Sequence, residues 1–227
     1  THKADSIGEM SCNPAIGGLG KGHIVREIDA LDGVMGRAID NSGIHFKILN
    51  MSKGPAVRGP RAQADRGLYK KSVQKILNEY NNLSIIEDSV EDLIIKKNKI
   101  EGVITSKAGS VRCRSLVLTT GTFLRGEIKI GNSSTPAGRI GDKPSIRLAK
   151  QIDSLKFQVA RLKTGTPPRI LKESINFNMT EQQPGDQDPK PFSYLNNKIT
   201  IKQINCFITK SNERTHKIIR ENLNKSP

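Results

Sequence analysis

The sequence predicts an α/β fold, and three observations carry that expectation. Apolar residues recur at helical spacing in two stretches, Ile24, Val25, Ile28 and Leu31, then Leu68, Val73, Ile76, Leu77 and Tyr80. Ile44, Phe46 and Ile48 alternate with His45 and Lys47, which is the period of a half-buried strand. Ser115-Leu-Val-Leu-Thr-Thr-Gly121 is an apolar run closed by glycine, the pattern of a parallel strand buried on both faces that delivers Gly121 to a ligand at the carboxyl edge of its sheet.

Taken in order, the chain predicts a helix over residues 21–32, broken at Gly33, and a short helix through Met35 and Ile39 that ends near Gly43. The strand at Ile44–Ile48 is followed by a loop from Met51 to Pro60 carrying Lys53 and Arg58, with Arg61 and Arg66 at the start of a helix running from about Ala62 to Tyr80. Leu83–Ile86 reads as a strand. Val90–Ile95, Ile100–Ser106 and Val111–Arg114 read as a three-stranded meander turned at Lys97–Lys99 and Lys107–Gly109. Beyond the run at 115–121, Gly126–Asp142 has loop composition, Pro144–Leu155 is a helix and Phe157–Leu162 a strand. Gly165-Thr-Pro-Pro168 closes this part. A polar segment from Glu181 to Pro191 then leads to strands around Ile199, Ile201, Ile204 and Cys206–Thr209, and to a closing helix over Asn212–Leu223.

The stretch that stands out chemically is Met10–His23, with four glycines, Pro14, Cys12, Lys21 and His23 in fourteen residues. Glycines at that density let the backbone take positive φ and approach a flat or phosphorylated ligand, because no Cβ intervenes. The helix that follows adds the N–H groups of its first turn. Two phosphate motifs are excluded. A P-loop would need glycine where Ala15 stands and Ser or Thr where Gly22 stands, and a dinucleotide fingerprint would need a hydrophobic strand where the polar residues 1–9 stand.

Thirty-seven basic against twenty-two acidic residues give a net charge of +15. That balance favours a polyanionic partner, with the plainer alternative that a Lys/Asn/Ile-rich chain reflects a biased proteome. For Lys53, Arg58, Arg61 and Arg66, which could hold phosphates of FAD or of tRNA, the alternative is a solvated basic face. Cys12, Cys113 and Cys206 are odd in number and far apart, which argues against a disulfide framework and for a reducing, cytoplasmic setting. No C-x-x-C or histidine cluster offers a metal site, so no metal is expected. No apolar run approaches the ~20 residues of a membrane span.

Met10–Gly22 with the following His-Ile-Val-Arg-Glu-Ile-Asp-Ala-Leu resembles the signature of the MnmG family, also called GidA, flavoproteins that modify the wobble uridine of tRNA. Similar runs follow in family order at Ser52–Arg58, Arg61–Arg66, Leu118–Phe123, Gly138–Asp142 and Leu162–Arg169. The resemblance implies an incomplete FAD-binding Rossmann-type domain with a β-meander over residues 1–166, and the beginning of an inserted NADH-binding domain over 167–227. It implies that Cys12 is catalytic, that Asn13, Gly17, Gly18, Val90, Thr120, Gly121 and Ser145 contact FAD, and that Cys113 and Cys206, which match no catalytic motif, are structural. A helix N-terminus follows Cys12, and Lys21 and His23 are near it in sequence, which favours a thiolate there.

The implied activity is FAD-dependent formation of a carboxymethylaminomethyl group at C5 of uridine 34. NADH supplies the electrons, tRNA is the substrate, the GTPase MnmE is the partner and the family is a homodimer, with no role for membrane or DNA. Relative to the family pattern the chain reads as an internal fragment. The strand bearing G-x-G-x-x-G precedes the Cys12 loop in the family, and the second reactive cysteine and the main nicotinamide segment follow. Activity of the chain alone is therefore open. The alternatives are a non-catalytic basic tRNA-binding or interaction remnant, and a generic FAD-dependent oxidoreductase.

Overall fold

A computed structural model describes residues 1–225, so the last two residues of the expected 167–227 segment lie outside the described residues. In chain order the elements are β1 (Ala15–Gly17), α1 (Lys21–Ala30), α2 (Val34–Asp40), β2 (Gly43–Leu49), β3 (Gly59–Ala64), α3 (Arg66–Asn78), β4 (Val90–Lys96), β5 (Lys99–Thr105), β6 (Gly109–Arg112), β7 (Glu127–Ile130), β8 (Ser133–Pro136), α4 (Ile146–Ser154), β9 (Glu181–Gln183), β10 (Cys206–Ile208) and α5 (Glu213–Glu221). They form two compact units, one of Ser6–Leu83 with the residues from Leu162 on, the other of Thr1–Asp5 with Ser84–Arg161.

The first unit is built on an antiparallel sheet of order β1-β3-β2. Phe46 pairs with Ala62 and Ile48 with Pro60, and these positions alternate with the pairs His45–Gln63 and Lys47–Arg61. A side-chain period of two therefore gives the sheet one apolar and one polar face. Phe46, Ala62 and Ala64 join Val25, Ala38, Ile39, Tyr69, Val73, Ile76 and Phe192 in the core. The polar face is covered as well: His45 is buried, and its Nε2 lies 3.2 Å from the Gln183 carbonyl oxygen.

Segment 191–196 is tied down by two buried carboxylates. Asp40, at the end of α2, accepts from the backbone N–H groups of Phe192 (2.7 Å) and Ser193 (2.9 Å) and from the Asn196 side chain (2.9 Å). Asp29, on α1, accepts from the N–H of Tyr194 (2.8 Å). Arg26 adds a bond to the Pro191 carbonyl (2.8 Å), and its guanidinium sits 5.3 Å from the centre of the Tyr194 ring.

In the second unit the meander β4-β5-β6 packs Leu93 and Val103 against Leu148 of α4. Lys97 and Asn98 both take positive φ (46° and 61°), the backbone of a tight two-residue hairpin turn. Gln151 of α4 turns its carboxamide on the β4 backbone: it accepts from the Leu93 N–H (2.5 Å) and donates to the Leu93 carbonyl (2.8 Å). Asp88 closes the far end of the meander, accepting from the Ser106 hydroxyl (2.5 Å) and from the N–H groups of Lys107 and Ala108 (2.9 Å each).

Several expectations are corrected. Gly59–Ala64 is the central strand of the first sheet, and the helix begins only at Arg66, because Asp65 caps it by accepting from the Leu68 N–H (2.9 Å). The buried stripe of α3 contains Tyr69 and not Leu68, which lies five residues before Val73 and so about 140° away around the helix. Gly126–Asp142 contains the hairpin β7–β8, and Glu181–Gln183 pairs with β10.

Leu83–Ile86, Ser115–Gly121, Phe157–Leu162 and Ile199–Ile204 form no strand, and no parallel ladder is built on the 115–121 run. Their composition is strand-like. A strand also needs a ladder partner, and no described strand pairs with any of them. Val117, expected inside, is 82% exposed.

Two predictions concern stability. Asp40→Ala strands two buried backbone donors, and urea denaturation is expected to register a loss of about 3 kcal/mol. The second concerns acid. Its hydrogen bond from Ser106 and the backbone donors beside it hold the Asp88 carboxyl well below the usual range, and Lys3, then Arg139, lower Asp142. Their stabilisation is present above the ordinary aspartate pKa of about 4 and is lost as pH falls toward the folded values. Burial pushes Asp40 the opposite way, so its term weakens as pH rises through its own window. Urea midpoints are expected to fall between neutral pH and about pH 3, with a smaller fall in Asp88→Asn.

Candidate functional site

Cys12, Asn13, Gly17 and Gly18 all lie in the unit built on β1-β3-β2. Cys12 is half-buried and Asn13 exposed, and the Asn13 carbonyl accepts from the Ala15 N–H (2.8 Å), turning the chain into β1. β1 pairs with β3, and the Ala64 N–H donates to the Pro14 carbonyl (2.7 Å). The thiol-bearing loop is thus fixed to the central strand by backbone hydrogen bonds.

The glycines divide by role. At Gly17 (φ 86°) a Cβ would stand 2.2 Å from the Pro60 oxygen and 2.9 Å from the Phe192 ring, so internal packing demands glycine there. Gly18 (φ 105°) and Gly20 (φ 70°) have nothing within 4 Å of the same position. The Gly18 N–H is spent on the Pro60 carbonyl (2.8 Å) and its own oxygen accepts from the Gly22 N–H (2.9 Å), so the turn is rigid. Gly20 is the N-cap of α1 and supplies no side-chain cap. Gly18 itself is buried and Gly20 exposed, and an uncapped helix N-terminus behind open space at both Cβ positions suits a flat or anionic ligand.

The structure also joins two sequence-distant motifs. Arg169, from the Leu162–Arg169 run, donates to the Cys12 carbonyl (2.9 Å). Sequence reasoning gave Arg169 no role, and its only signal was its place in that run.

Val90, Thr120, Gly121 and Ser145 lie in the other unit. Val90 opens β4, opposite Thr105. Thr120 and Gly121 form a turn in which the Thr120 carbonyl accepts from the Phe123 N–H (3.0 Å), and Gly121 has φ 53° with no atom within 4 Å of a Cβ. Ser145 is the N-cap of α4, its hydroxyl makes no cap bond, and its N–H donates to the Phe123 carbonyl (2.8 Å). Phe123 thereby brings Thr120, Gly121 and Ser145 into one backbone-bonded cluster. Within each unit taken by itself, an open Cβ position (Gly20 in one, Gly121 in the other) accompanies a helix start without a side-chain cap, an arrangement whose chemistry is compatible with the phosphates of a dinucleotide.

The description of one protein family, Glucose inhibited division protein A, matches residues 1–227. The chain belongs to the GidA family. A curated relative, the tRNA uridine 5-carboxymethylaminomethyl modification enzyme MnmG of Granulibacter bethesdensis, is 58% identical over the whole chain. GidA of Aquifex aeolicus superposes in two crystal forms with TM-scores of 0.90 and 0.89 at 45% identity, covering 99% and 100% of the chain. The chain spans 36% of the Granulibacter protein and 38–39% of the Aquifex chains. Among the described residues no helix is long and apolar enough to cross a membrane.

Gly17→Ala and Gly18→Ala both place a side chain at positive φ, but only the first drives it into backbone and a core ring. Thermal or urea melts are expected to show Gly17→Ala less stable than Gly18→Ala by about 1–3 kcal/mol.

Proposed function

We propose that this chain is the part of a flavin-dependent tRNA-modifying enzyme that carries the Cys12 loop and part of the FAD cradle. The whole protein builds the carboxymethylaminomethyl group at C5 of uridine 34 in the cytoplasm, as a homodimer working with the GTPase MnmE. The family match across the chain supports this most directly, together with a half-buried thiol in the loop that leads, six residues on, to the Gly18 turn.

The chain's residues divide the work in this reading. Asn13, Gly17, Gly18, Val90, Thr120, Gly121 and Ser145 are the candidate FAD contacts; bound FAD would pass reducing equivalents between NADH and a one-carbon unit. Cys12 acts on the base. Its thiolate adds to C6 of the uracil, the electron pair of the C5=C6 bond moves to C5, and C5 becomes nucleophilic toward the one-carbon unit. Loss of the C5 proton then expels the thiolate and restores the double bond. Arg169 positions the Cys12 backbone. Residues 167–227 lead toward the nicotinamide-binding part, and Asp29 and Asp40 anchor their 191–196 segment.

In the complete protein Cys12→Ser is expected to abolish modified uridine 34, read by nucleoside mass spectrometry of bulk tRNA; undiminished modification removes Cys12 from the mechanism. Gly18→Val is expected to weaken FAD binding at least about tenfold by filling the open surface, and unchanged flavin occupancy would withdraw Gly18 from the cradle.

The net charge of +15 favours a second reading, a basic tRNA-binding remnant without chemistry. A steep salt dependence of tRNA binding that ignores added FAD is its signature.

A further inference from the structure

The polar face of the β1-β3-β2 sheet and the β9–β10 pair enclose a cleft of about 270 Å³, lined among others by His45, Lys47, Arg61, Gln63, Cys206 and Phe207. Among the described residues no carboxylate lines this cleft; Asp186 lines the smaller hollow next to it, which shares Lys47 and Arg61, and there its carboxylate is taken up by the Ile48 N–H (2.9 Å). Lys47 and Arg61 are direct cross-strand partners. Like charges placed directly opposite one another on neighbouring strands destabilise a sheet unless an anion sits between them.

Both cations keep donors to spare. Lys47 Nζ donates to the Pro184 carbonyl (3.1 Å), leaving two of its three N–H groups. With the Gln63 amide oriented to suit both its neighbours, its nitrogen donates to the Pro14 carbonyl (3.3 Å) and its oxygen accepts from Arg61 Nη2 (3.0 Å), which aims the guanidinium fork without filling it. The cations carry two positive charges, matching a phosphate dianion better than a single carboxylate. Phe207 also lines the cleft; its ring is 44% exposed and lies edge-on to Phe177, with 4.7 Å between ring centres. Sequence reading took Cys206 as a plain structural thiol; it stands, half-buried, in the wall of this cleft.

We propose that the cleft binds one phosphorylated nucleotide unit, its phosphate between Lys47 and Arg61 and its ring on the side of Phe207. The volume is at the small end of ligand pockets and suits one such unit. Stacking on an aromatic side chain is tolerant of base identity, so the phosphate carries the anchoring and the ring the discrimination against bare anions. The assignment does not depend on Cys12 being catalytic.

Cys206 reports on occupancy. Burial pushes its thiol up, so alkylation with N-ethylmaleimide is followed at about pH 8.5, near the ordinary cysteine pKa. Peptide mass spectrometry reads Cys206 separately from Cys12 and Cys113. The probes are uridine monophosphate, inorganic phosphate, tRNA and sodium chloride at matched ionic strength.

A nucleotide at ten times its Kd is expected to slow alkylation of Cys206 about tenfold while leaving Cys113 unchanged. Lys47→Gln and Arg61→Gln are each expected to abolish that protection with the far-ultraviolet dichroism retained. Protection by uridine monophosphate assigns a free nucleotide; protection by tRNA alone, lost in Lys47→Gln, assigns a nucleotide within RNA. Either supports the site. Protection by none of the probes, equal protection by chloride, or protection that survives Lys47→Gln overturns it. Inorganic phosphate protecting as well as the nucleotide overturns the ring placement. None of these results bears on uridine modification by the complete protein, which the Cys12→Ser experiment tests separately.

Discussion

Two carboxylates withdrawn from water hold the first unit together. Burying Asp29 and Asp40 is costly unless donors meet them, and the N–H groups of three consecutive residues, Phe192, Ser193 and Tyr194, do so. The consequence is positional. With its backbone fixed at both sides, the Phe192 ring is driven into the core, 6.3 Å from Phe46 and directly beneath Gly17. Gly17, where the turn begins, therefore packs against a ring supplied from about 175 positions further along the chain.

The same sheet serves two purposes because its faces alternate. Ala62 and Ala64 are small enough for the helices to pack closely, while Arg61 and Gln63, on the same strand, project to the other side. β3 is also the strand to which the Cys12 loop and the Gly18 turn are hydrogen-bonded. One six-residue strand, Gly59–Ala64, thus fixes the geometry of the candidate catalytic loop and of the cationic cleft.

What could be read from the sequence was what local patterns encode. α1, α2, β2, the meander and α4 follow from periodicity and turn residues, and α5 from the Asn212 cap, whose side chain accepts from the Thr215 N–H. β3 reads as a helix start only while the apolar stripe of α3 is extended backwards; Asp65 as a cap and the alternation of Ala62 and Ala64 with Arg61 and Gln63 are the sequence signals for a strand. Strand-like runs at 83–86, 115–121 and 157–162 misled because pairing is a property of two segments and composition belongs to one. The site residues were legible only as motif members. Periodicity says nothing of Asp40 reaching Phe192, of Arg169 reaching Cys12, or of Gln183 covering His45, since all three contacts are long-range.

The carboxamide of Gln151 has a further effect. β4 is an outer strand of its sheet, and an unprotected outer strand offers a row of N–H and C=O groups on which a second molecule can template. By taking both groups of Leu93, near the middle of that row, a single side chain imitates a neighbouring strand and interrupts the template where an intruding chain would need continuity. The meander is in this way guarded against self-association at Leu93 by a side chain, in addition to the register irregularities that flank it at Val90/Asp92 and Ile94/Ile95.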